Sequence, residues 1–121
     1  MKPAKLTTVE AHKYLNKVEI ANETLLQIKK DFGSYGESIP SEVDANSGYD
    51  FVQNKVIQVL SDIIDNNRSA LSPILYQVDL NESVYRSLDK NTEDYTEKLA
   101  DALIIRELKK VITRHYFKSL D

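Results

Sequence analysis

Cysteine and tryptophan are absent from this chain of 121 residues, and glycine and proline occur three times each. Without cysteine there can be no disulfide, iron–sulfur cluster, thiolate zinc site or cysteine nucleophile. A thiol-free chain suits a reducing compartment, and a cytoplasmic location is the expectation. Long apolar runs are also missing. The longest unbroken aliphatic stretch is 102–105, far short of the ~20 residues a membrane-spanning helix needs. The opening residues show no apolar core of the signal-peptide kind. A strong excess of either charge is lacking as well: 16 basic against 19 acidic residues give a net charge of −3. That balance argues against a dedicated nucleic-acid binder, which is usually strongly basic.

The catalytic and nucleotide-binding motifs are missing too. The glycine-containing stretch at 33–38 does not have the P-loop spacing, and no GxSxG elbow occurs. Neither HExxH nor Glu-x-x-His is present, so neither the zinc-protease pattern nor the carboxylate di-metal bundle pattern can be read. Asp44-x-Asn46 lacks the rest of a calcium loop. Neither His12 nor His115 has a histidine or glutamate at a local metal-ligand spacing. The expectation is therefore no catalytic set, no metal set, no cofactor, and a protein that is more readily a non-enzyme.

What is present is helical patterning. All three glycines lie at 33–48, and the long glycine-free stretches on either side have apolar residues at steps of three and four. Thr7-x-x-Glu10 is a capping box. From there Ala11, Tyr14, Val18, Ala21, Leu25, Ile28 and Phe32 form a heptad-like stripe. One long helix over about 8–32 is predicted, ending at Gly33.

Residues 33–48 form the one clear loop. The loop contains acids but no basic residue, and it reads as a flexible crossover or as a segment covering a basic face. A helix from about Asp50 follows, capped by Asp50-x-x-Gln53, with Val52, Val56, Val59, Leu60 and Ile63 facing inward. Ser72-Pro73 opens a short helix through about Val78, with an earlier start at Ser69 as the alternative, and Asp79-x-x-Glu82 opens another. Thr92 caps a last long helix over about 92–119. The fold class is all-α: a single domain, 1–121, built as a helical bundle of about four to five helices, two of them long.

The last helix is the most informative. Glu93, Asp94, Glu97 and Asp101 lie in the first half, and Arg106, Lys109, Lys110, Arg114 and Lys118 lie in the second, with only Glu107 opposing them. The helix dipole accounts for the terminal charges but not for Arg106 to Lys110, which sit too far inside. At about 100° per residue these cations share one side, while Ile104, Leu108, Val111, Ile112 and His115 share the other. Around 102–105 the helix is apolar on all sides, which predicts burial at the centre of the bundle or in a second chain.

Three functions follow from this pattern. The leading one is a non-enzymatic protein–protein interaction module, with a protein partner or a second copy docking at Ile104, Ile105, Leu108 and Ile112. The alternative is binding of an anion or nucleic acid through Arg106, Lys109, Lys110 and Arg114. The third is an enzyme or small-molecule binder with a pocket between the 33–48 loop and the last helix.

Overall fold

The computed structural model describes residues 6–44 and 48–120. Residues 45–47, at the end of the expected loop, and 1–5, which begin the chain, lie outside the described residues, as does Asp121. The described residues form α1 (Thr8–Leu15), α2 (Val18–Phe32), α3 (Gly48–Asn66), α4 (Leu71–Val78), α5 (Glu82–Arg86) and α6 (Tyr95–Lys118), with 3-10 turns at Gly33–Gly36 and Arg68–Ala70. The all-α bundle expected from periodicity is the fold observed. Among the described residues it has six α-helices rather than four to five.

The extra helix comes from a break in the first long segment. Thr7 does cap it, accepting from the Glu10 amide at 3.2 Å while its own amide donates to Glu10 Oε1 at 3.3 Å. The helix then stops at Leu15, and Lys17 is extended. Burial shows why. Leu15 and Ala21 are both fully buried, whereas Val18 is about half exposed. Six residues apart on one unbroken helix, Leu15 and Ala21 would point about 120° apart. The break turns both inward. Gly48 packs against this junction: a Cβ there would lie 2.5 Å from Asn16 Oδ1, and its φ of +38° favours glycine.

After α2 the chain folds back along the helix it has just left. Lys29 Nζ donates to the carbonyls of Gly36, Glu37 and Ile39 at 3.2, 3.4 and 2.6 Å. Val43 N donates to Asn22 Oδ1 at 2.8 Å. Gly36 lies so close to Lys29 that a Cβ would sit 2.6 Å from its carbonyl oxygen. Ile39 is buried beneath this strap. The segment therefore packs on α2.

The expected inward face of α3 is observed: Val52, Val56, Val59, Leu60 and Ile63 are all buried. Three helix starts differ from expectation. α4 begins at Leu71, between the two starts expected at Ser69 and Pro73, and a 3-10 turn precedes it. Asp79 ends α4 in the left-handed conformation (φ 64°), and Asn81 caps α5 by accepting from the Ser83 amide at 2.9 Å. Thr92 donates its hydroxyl to the Asp89 carbonyl instead of capping α6, whose cap position is Asp94.

α6 packs against each of the other five α-helices. Its all-round apolar turn passes through the centre of the chain, with Leu103 and Ile104 fully buried and Ala102 and Ile105 partly buried against the core. Each such Leu or Ile stabilises the fold by roughly 1.5–3 kcal/mol relative to exposure.

Candidate functional site

α2 presents Glu23, Gln27 and Asp31 at successive spacings of four, one above another on a single face. α6 runs beside it in the opposite direction, and three contacts join the two. His115 Nε2 meets Glu23 Oε1 at 2.8 Å. Arg114 donates to Gln27 Oε1 at 2.7 Å. Lys110 Nζ donates to Asp31 Oδ2 at 2.7 Å. Gln27 Nε2 also donates to Asp31 Oδ2 at 3.1 Å, tying two rungs together. The ladder runs from solvent at His115 into the core at Lys110.

The inner end holds a second carboxylate. Glu107 has no exposed surface, and its Oε1 lies 2.7 Å from Lys110 Nζ. Burial, then the neighbouring Asp31, pushes the Glu107 carboxyl up to about 9, against a smaller opposing pull from Lys110. Burial also acts to raise Asp31, but Glu107, Lys110 and Gln27 together outweigh it and hold its carboxyl below the ordinary value. At neutral pH these opposite shifts favour a neutral Glu107 beside an ionised Asp31 and the Lys110 ammonium. The cluster then carries little net charge, which is the condition for keeping it inside.

The candidate anion-binding residues are engaged within the fold. Arg106 donates from Nε to the Asp79 carbonyl at 3.0 Å and from a terminal nitrogen to Asp79 Oδ2 at 2.9 Å, pinning the corner between α4 and α5. Lys110 and Arg114 are rungs of the ladder, and Lys109 is half-buried and not free either. The partners of Arg106, Lys110 and Arg114 come from α2 and Asp79, together with Glu107 of α6 itself, and not from the acidic 33–48 loop. The candidate interface residues are inside the chain: Ile104 and Leu108 are fully buried, Ile112 nearly so, and Ile105 half-buried.

Sequence reasoning missed Glu107, counting it only as the one acid opposing the cations of α6. A signal was available. Ala100, Leu103, Ile104, Leu108 and Val111 are buried, and position 107 falls within that stripe at steps of three and four. Asp31, Gln27 and Glu23 were missed because nothing local marks them. Their partners lie on another helix, far along the chain.

Two other arrangements belong to the inventory. Tyr49 and Gln53 of α3 both donate to Asp101 Oδ1, at 2.6 and 2.7 Å, and His12 stacks on Tyr49 with ring centroids 4.1 Å apart. Burial, and then Asp101, raise the Tyr49 phenol above its ordinary range, so it stays a donor. Open grooves lie beside the described part of the 33–48 loop. One lies against α3, at Gln58, Val59 and Asp62, and another against α4, at Pro73, Ile74 and Gln77. Neither of these is lined by α6.

Fold and site together define, among the described residues, a six-helix bundle in which α2 and α6 are joined by a graded polar ladder. No family model matches the chain, and no curated protein or solved structure matches it.

Proposed function

We propose that the chain is a non-enzymatic helical interaction module that docks through α4 and α5. The observation that carries this reading is Tyr76. It is 85% exposed on α4, while Ile74, Leu75 and Val78 of the same helix are buried. Val84 on α5 is also exposed. The corner between these helices is held by the paired donation from Arg106 to Asp79, so the tyrosine stands on a fixed support. An exposed tyrosine on a rigid helix contributes large contact area at low entropic cost, and tyrosine is enriched at interfaces. Burial of Ile104, Leu108 and Ile112 within the chain moves the docking surface away from α6.

Binding of nucleic acid through α6 is the less favoured alternative. It would require Arg106, Lys110 and Arg114 to leave their intramolecular partners.

The form tested first is self-association. Untagged protein is followed by sedimentation velocity from micromolar to near-millimolar concentration, alongside Tyr76→Asp. Concentration-dependent dimerisation that Tyr76→Asp abolishes is the expected result. A chain that stays monomeric throughout, or that dimerises equally well with Asp at position 76, overturns docking of a second copy at this surface.

A further inference from the structure

The outer end of the ladder gathers three metal-ligating side chains that are widely separated in sequence. Glu19 and Glu23 lie one turn apart on α2, and His115 comes from α6. One donor atom from each lies within 4.8 Å of the other two. We propose that Glu19, Glu23 and His115 form a site for a divalent first-row metal ion of the zinc class, bridging the start of α2 to the end of α6.

The donor set points to the class of ion. One imidazole nitrogen with two carboxylates suits zinc and its neighbours, whereas magnesium and calcium prefer all-oxygen shells. Zinc takes nitrogen and oxygen ligands at about 2.0–2.2 Å, which places tetrahedral donors about 3.4 Å apart. His115 Nε2 and Glu23 Oε1 are already 2.8 Å apart. An ion between them needs only a slight opening, and the Glu19 carboxylate swings in to complete a three-residue set. The site is partly exposed, with Glu19 on the surface and the other two half-buried. Water is therefore free to take the fourth position.

Two features make this more than a chance surface cluster. First, Glu19 makes no hydrogen bond or ion pair with any described residue. It stands one turn from a second glutamate, an arrangement that is mildly unfavourable without a cation. Second, the helices bearing the donors are locked in register by the Arg114–Gln27 and Lys110–Asp31 contacts one and two turns further along α2. Donors on rigid, pinned helices lose little freedom on binding.

The test is calorimetric titration of untagged protein with zinc chloride, with magnesium chloride as the comparison, and with melting temperature read in parallel. Expected are saturation at one zinc per chain, a melting temperature that climbs with zinc concentration, and no comparable binding of magnesium. His115→Ala should abolish the one-equivalent phase. Glu19→Gln should weaken it by roughly tenfold or more, since losing even an outer-shell partner costs that much. His12→Ala, the other histidine, should bind as wild type does. Glu19 has no hydrogen-bond or ion-pair partner among the described residues, so Glu19→Gln tests the site even if His115→Ala fails to fold. Absence of saturable one-equivalent binding overturns the proposal, and so does binding unchanged by Glu19→Gln.

Discussion

The two ends of the α2–α6 ladder are built from the same parts. At the inner end are Asp31, Glu107 and Lys110, and at the outer end Glu19, Glu23 and His115. Each has two carboxylates and one nitrogen base, contributed by the same two helices. They differ in water. The side chains of Asp31 and Lys110 are 6% and 18% exposed and that of Glu107 is fully buried, whereas Glu23 and His115 are 33% and 38% exposed. Inside, no solvent compensates two adjacent negative charges, and one carboxylate keeps its proton. Outside, water solvates the second carboxylate, which leaves it available to a cation. One arrangement becomes a structural lock when dry and a candidate ligand set when wet.

The largest expected effect breaks the inner end. Lys110→Met removes the cation that pairs with Asp31 while leaving the carboxylates buried. Removing one partner of a buried pair costs several kcal/mol, since the remaining charge is left uncompensated. We expect a loss of about 3 kcal/mol at neutral pH, read by urea denaturation. A loss below about 1 kcal/mol would place the inner cluster with ordinary surface pairs.

A proton at the inner end also has a signature in pH. Glu107 is raised in the folded state from its ordinary 4.5 to about 9. Below 4.5 both folded and unfolded chains hold this proton, and its contribution to stability is fully present. Between 4.5 and about 9 only the folded chain holds it, so the contribution is lost as pH rises, by at most ~1.4 kcal/mol per pH unit. Asp31, depressed in the fold, acts oppositely: its contribution is present above 3.8 and is lost as pH falls through its folded value. Glu107→Gln keeps the shape and removes the titration. The variant should therefore gain on wild type steadily from pH 5 to pH 9 in denaturation measured across that range. Parallel stability curves would mean that Glu107 is already ionised in the fold.

Much of the scaffold was legible, because helices are specified by local spacing. The inward face of α3, the Thr7–Glu10 box and the central position of 102–105 follow from periodicity and capping. The break at Asn16–Lys17 was not. Neither proline nor glycine marks it, and only the packing of Gly48 and the burial of Leu15 require it. The sorted charges of α6 were visible, but their destinations were not, for Asp79, Asp31 and Gln27 come to them through tertiary structure. Position 107 is the instructive case. Its place in the buried stripe was countable, yet its charge argued for solvent. The structure keeps the position buried, and burial beside Asp31 favours the neutral carboxyl there.

The smallest expected effect lies at the outer end and sharpens the comparison. Glu23→Gln removes a carboxylate from a pair that is about one-third exposed on both sides. Exposed pairs contribute little, because water already solvates both groups and ordering two side chains costs entropy. In metal-free buffer the variant should lose less than about 1 kcal/mol, and salt should shrink even that difference by screening. Lys110→Met should remain costly in the same salt, since ions do not reach its neighbours. If Glu23→Gln instead matched Lys110→Met in size and in indifference to salt, exposure would not be what separates the two ends, and the outer carboxylates would be structural rather than available for a metal.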